Sequence, residues 1–146
     1  MLRATLLVFG LLFATAAAGQ ALTPAGIWRT FSDRTGEADG LVRIVETNGE
    51  FVGTVLAVFA PPAADANPLC EECKGDLRNQ PVVGMTILRG LRRDGEQYSG
   101  GELLDPDDGE TYRCRMRLAD GGRTLHVRGF VGISLFGRTQ TWKREE

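Results

Sequence analysis

The chain has 146 residues, with 17 basic and 19 acidic side chains and a net charge of −2. That length suits one domain. At 42% apolar and 25% charged residues the chain is too apolar for disorder, and with no basic excess it is poorly suited to nucleic-acid phosphates. Its 19 glycines follow no triplet period, so they point to turns and strand bends rather than collagen.

Residues 1–21 have the charged, apolar, small-residue order of a secretory signal peptide. Arg3 supplies the charge, residues 6–13 the apolar core and residues 14–18 the alanine-rich end. Cleavage fits after Ala18 or after Ala21. The second site is preferred, which leaves residues 22–146 as a single β-barrel domain. The apolar core is short against the roughly 20 residues a membrane span needs, and the first cysteine, Cys70, is far from any lipid-anchor position. The expected location is an exported compartment, a bacterial periplasm, with no membrane span after cleavage.

From residue 22 onward, short β-rich runs alternate with turn signals. Strands are expected at 26–31, 41–47, 51–59, 84–91, 97–104, 111–118, 124–130 and 138–144. Asn48-Gly49 and Asp94-Gly95 are hairpin dipeptides, because glycine and asparagine tolerate the positive φ that such turns need. Eight strands joined mostly by tight turns imply an up-and-down antiparallel barrel.

Residues 111–118 show which face is inside. Tyr112, Cys114, Met116 and Leu118 alternate with Thr111, Arg113, Arg115 and Arg117, so period two sends three guanidiniums to water. A two-residue turn at Asp120-Gly121 would pair Leu118 with Arg123, Met116 with Leu125 and Cys114 with Val127. Val42, Ile44, Phe51 and Val55 are expected inside as well. Residues 60–81 break the rhythm. They hold four prolines and two of the three cysteines, and are expected to cover one barrel end.

Cys70-Glu71-Glu72-Cys73 has redox spacing, but no helix pattern follows to stabilise a thiolate. A zinc site from three cysteines and His126 fails on strand parity, which puts His126 on the arginine face. A structural disulfide is the simpler expectation in an oxidising compartment. Either Cys70 or Cys73 bonds Cys114, closing a loop of about 40 residues for about 4 kcal/mol, or Cys70 bonds Cys73. The acidic run Asp105, Asp107, Asp108 and Glu110 lacks the glycine placement of a calcium loop and is expected to be a solvated turn.

Gly26-Ile27-Trp28 before the first strand resembles the Gly-x-Trp motif of lipocalin-like barrels, and Trp142-Lys143-Arg144 ends the last strand where such barrels place a cation over that tryptophan. More of the chain resembles the bacterial family called domain of unknown function 2147. The matching segments lie at 65–68, 81–85, 99–106, 108–112, 127–132 and 135–142, the densest being Leu135-Phe136-Gly137-Arg138-Thr139-Gln140-Thr141-Trp142. The resemblance implies a small exported calycin-like barrel and no established activity.

An eight-stranded barrel has room inside for side chains or one small ligand. The leading expectation is therefore a binding module for a small hydrophobic or amphipathic molecule, such as a lipid or fatty acyl chain, with no cofactor. The candidate ligand-binding residues are Trp28, Phe51, Tyr112, Met116 and Val127, together with Arg138 and Arg144, either of which can lie over Trp28. Two other readings stay open. One is a structural or protein-interaction barrel with a filled core; the other is a hydrolase, for which no Gly-x-Ser-x-Gly elbow or selected carboxylate pair is present.

Overall fold

The computed structural model describes residues 22–60, 64, 67–133 and 135–146. The signal-peptide expectation, at residues 1–21, lies outside them. Eight antiparallel strands close into one barrel in sequence order. They are β1 (Gly26–Phe31), β2 (Ala38–Thr47), β3 (Glu50–Val58), β4 (Thr86–Asp94), β5 (Gln97–Leu104), β6 (Thr111–Ala119), β7 (Thr124–Phe130) and β8 (Gly137–Arg144). All eight expected strands exist. Among the described residues the helical content is two single 3-10 turns, and no helix is long and apolar enough to cross a membrane.

Period two decides what is buried. Val42, Ile44, Phe51 and Val55 face inward, as do Cys114 and Met116 on β6, while Arg113 and Arg117 are exposed. Phe51 and Tyr98 meet edge to face at 4.9 Å between ring centroids, a favoured aromatic geometry. With Leu88, Leu91, Met116 and Leu125 they belong to the solid part of the core.

The β6–β7 turn differs from the expected register. Met116 pairs with Val127, Leu118 with Leu125 and Cys114 with Gly129. The cause is the turn itself. Asp120, Gly121 and Gly122 all have positive φ, and the Thr124 hydroxyl donates to Asp120 Oδ2 at 2.6 Å. The loop between paired Ala119 and Thr124 is thus longer by two residues than the tight turn expected. A slip of two residues preserves side-chain parity, so the apolar faces still coincide and His126 still lies opposite Arg117 on the outside.

Closure rests on a narrow seam. β1 and β8 share only two residue pairs, Trp28 with Arg144 and Arg29 with Lys143. Side chains reinforce it. The Arg144 guanidinium lies over the Trp28 ring, 4.3 Å from its centroid. It also donates to the carbonyls of Gly122 (2.7 Å), Ala25 (2.8 Å) and Thr23 (2.8 Å). Burial lowers the Arg144 pKa from its ordinary value, but an arginine remains charged. Gly26, at φ 143°, is required here, since a Cβ would collide with the Arg144 guanidinium. The Trp28 indole N–H donates to the Pro24 carbonyl at 2.8 Å, so this end of the barrel is plugged without an orphaned polar group. Arg144→Ala should cost about 3 kcal/mol in denaturant-monitored stability, because charge-assisted bonds and a cation–π contact are lost together. Arg144→Lys should recover less than half of that, as one ammonium cannot reach three carbonyls.

Candidate ligand-binding site at the barrel mouth

The opposite end is open. The β1–β2, β3–β4, β5–β6 and β7–β8 connections ring a cavity of about 1030 Å³. Its apolar lining includes Val42, Val55, Ile87, Leu104, Val127 and Trp142. Val42, Val55, Ile87 and Leu104 come from four neighbouring strands, and Val127 and Trp142 from β7 and β8.

Long-loop residues contribute to the wall. Pro68, Leu69 and Val82 line the cavity. This loop is held by Cys70 N donating to Gln80 O, Val82 N donating to Pro68 O, and Gly84 N donating to Val55 O, each at 2.8 or 2.9 Å. Cys70 and Cys73 are bonded to each other and buried in the core. The local pairing is therefore the one formed, and the longer crosslink to Cys114 is not. Cys114 is a buried free thiol, and burial pushes its pKa up to about 12, which leaves it a poor nucleophile. The disulfide loop seats against the β5–β6 turn at Gly109, where a Cβ would strike the Glu72 carbonyl oxygen.

Polar groups line the mouth above the apolar wall. Asp33, Asp39, Asp105, Asp107 and Asp108 reach the cavity, with Arg34 and Arg138 as its arginines. Arg138 Nε lies 3.0 Å from Asp33 Oδ2, and its Nη2 lies 3.4 Å from Asp105 Oδ2. Gln140 donates to Asp33 Oδ2 at 3.0 Å and accepts from the Trp142 indole N–H at 3.1 Å. A polar chain thus runs from Trp142 on the wall to Arg138 at the rim.

The acidic run is a self-capped turn. Asp105 Oδ1 accepts from Asp107 N at 2.9 Å, and Asp108 Oδ1 accepts from Glu110 N at 2.8 Å. Tyr112 donates its hydroxyl to Asp108 Oδ2 at 2.6 Å, and that bond, with help from burial and nearby carboxylates, pushes its pKa up to about 12. Among the described residues no three His, Cys, Asp or Glu side chains form a group that could hold a metal ion.

Of the seven candidate residues, Tyr112, Val127 and Arg138 line this cavity. Trp28, Phe51, Met116 and Arg144 are not in its lining; Trp28 and Arg144 form the closed-end plug, and Phe51 and Met116 are buried core. Arg144, not Arg138, is the cation over Trp28. Sequence reasoning missed Asp33, Asp39 and Gln140. A usable signal existed for one of them, because Gln140 is two residues from Trp142 on β8 and so shares its inward face. His126 is on the outside, with Nδ1 3.2 Å from Thr141 Oγ1.

With this geometry the chain can be compared with known proteins. The barrel is similar to the solved structure of protein HP1028 from the human pathogen Helicobacter pylori, described as belonging to the lipocalin family. The TM-score is 0.73 and the identity 23%, over 86% of this chain and 85% of that one. The fold class is therefore a lipocalin-like β-barrel. Residues 26–144 match the family of uncharacterized proteins conserved in bacteria, DUF2147, and the chain belongs to that family. No curated protein matches the chain in sequence.

Burial pushes the Asp39 carboxyl above its ordinary pKa; the Thr30 hydroxyl offsets part of this, while Asp107 and Asp33 add repulsion. Asp105 is also raised, first by burial, then by Asp108 and Asp107, against the Asp107 backbone N–H and Arg138. A carboxyl whose pKa rises on folding holds its proton more tightly in the folded state. Its contribution favours the fold below the unfolded pKa and is lost as pH rises through the raised folded value. Asp39→Asn should therefore raise the melting temperature by about 2 °C at neutral pH. The gain should vanish in acid, where Asp39 is already protonated. Thermal scans at the two pH values check this, and a lower melting temperature at neutral pH would contradict it.

Proposed function

We propose that this chain is an exported binding module for a small amphipathic molecule carrying a cationic head. The apolar part lies against Val42, Val55, Ile87, Val127 and Trp142, and the head lies among the mouth aspartates. The observation that carries this reading is the cavity of about 1030 Å³ with an apolar wall below five carboxylates. Its volume is at the upper end of the range for small-molecule sites. A fatty carboxylate fits less well than an amine. Of the two arginines lining the cavity, Arg138 is already engaged by Asp33 and Asp105, and an anion approaching it would enter beside both. A cation there offsets the burial that chiefly raises Asp39 and Asp105, and with it the smaller repulsion from neighbouring carboxylates. The cavity also favours a carrier over a barrel with a filled core. Export is supported by the leader-like residues 1–21 and by the Cys70–Cys73 disulfide, which suits an oxidising compartment.

Tryptophan fluorescence titration with dodecylamine and with dodecanoate tests the proposal. The amine should bind at least about tenfold more tightly, the worth of one well-placed charge pair in a partly buried site. Asp39→Asn and Asp105→Asn should each remove most of that preference. Acidification should weaken amine binding as these raised carboxyls take up protons. Equal binding of both probes, or preference for the carboxylate, would overturn the cationic head. No binding of either would overturn the carrier reading.

A further inference from the structure

We propose that Arg138 is an internal competitor for the cavity, an inference that rests on reading the cavity as a site for a cationic amphiphile. Its guanidinium occupies two mouth carboxylates that the cationic head of a ligand would take over. Ligand then enters by exchanging one cation for another.

The first observation is where this side chain reaches. Arg138 is on β8, Asp33 follows β1 and Asp105 follows β5. In the closed strand order β8 adjoins β1 on one side, while β7 and β6 stand between it and β5 on the other. One guanidinium therefore bridges two separate points of the rim, with Nε 3.0 Å from Asp33 Oδ2 and Nη2 3.4 Å from Asp105 Oδ2. β7 leaves the way clear, because the residue paired with Arg138 is Gly129, which lines the cavity without a side chain.

The second observation is that other groups hold both carboxylates in place. Asp33 Oδ2 also accepts from Gln140, whose own oxygen accepts from the Trp142 indole N–H. Asp105 Oδ1 accepts from Asp107 N, and the Asp105 backbone is tied to Glu110 O at 2.9 Å and to Gly109 N at 2.8 Å. Withdrawing Arg138 leaves two acceptors already oriented beside the cavity, which favours a replacement cation.

The third observation is exposure. The Arg138 side chain is 62% exposed, against 36% for Asp33 and 21% for Asp105. The resident cation thus comes from the solvent side onto more sheltered carboxylates. An exposed ion pair contributes little net stability, so this arginine leaves at small cost. A ligand whose apolar chain packs on Val42, Val55 and Trp142 adds the burial that decides the exchange.

Dodecylamine titration followed by tryptophan fluorescence tests this. Arg138→Gln should bind the amine about fivefold more tightly than the wild type, the upper end of what an exposed ion pair resists. Arg34→Gln removes the same charge from the other arginine of the lining and should tighten binding by less than about twofold. Arg138→Lys keeps the charge but loses the fork to both carboxylates, and should fall between wild type and Arg138→Gln. In nitrogen-15-labelled wild type, the Arg138 Nε–H signal, assigned by its loss in Arg138→Gln, should move and exchange faster with water as amine is added. Circular dichroism verifies the folding of each variant. Amine binding that is unchanged or weaker in Arg138→Gln, or tightened equally by Arg34→Gln, overturns the competition and leaves the carrier reading standing. So does an Arg138 Nε–H signal that stays in place at saturating amine. Failure of both wild type and Arg138→Gln to bind the amine overturns the two together.

Discussion

The Arg144–Trp28 contact sets the terms for everything else in this molecule. A closed barrel has no edge, but here the closing seam between first and last strands is only two residue pairs long. A guanidinium stacked on an indole, and bonded to three carbonyls of the Thr23–Ala25 and Gly122 segments, supplies what the short ladder lacks. The same contact plugs one end. Because that end is solid, the free interior volume gathers at the other, where polar side chains and solvent meet.

That division explains the burial pattern along β8. On β8, Trp142 is buried, Gln140 is half-buried and Arg138 is exposed, although all three share one face. The gradient runs along the barrel axis from closed end to mouth. Near the mouth the polar inward residues find partners in one another: Trp142 on Gln140, Gln140 on Asp33, and Arg138 on Asp33 and Asp105. The result is a pocket with an apolar wall and a charged rim.

Much of the fold was legible because period two is a strong signal. The alternation from Thr111 to Leu118 assigned inside and outside on β6, and all eight strands were identifiable from β-rich runs between turns. Parity also survived a mistaken turn length, since the three positive-φ residues Asp120, Gly121 and Gly122 moved the pairing by an even number. The site was less legible. Alternation says which side of a strand a residue occupies, not how far along the axis it lies. Trp28 and Val127 are both inward, yet one belongs to the plug and the other to the cavity wall. Asp33 lies just after β1, and only closure of the barrel brings it to Arg138 and Gln140 on β8, whereas Asp39 meets Thr30 within the β1–β2 hairpin. The disulfide partner was ambiguous for the same reason, because it depends on where the long loop folds back.

The two tryptophans report separately on the two ends, and their indole N–H resonances test the account most directly. Trp142 lines the cavity and Trp28 is fully buried under Arg144. On titrating dodecylamine into nitrogen-15-labelled protein, the Trp142 indole signal should move progressively while the Trp28 signal stays in place. A shift confined to Trp28, or none at either indole at saturating amine, would contradict a ligand cavity bounded by the mouth aspartates.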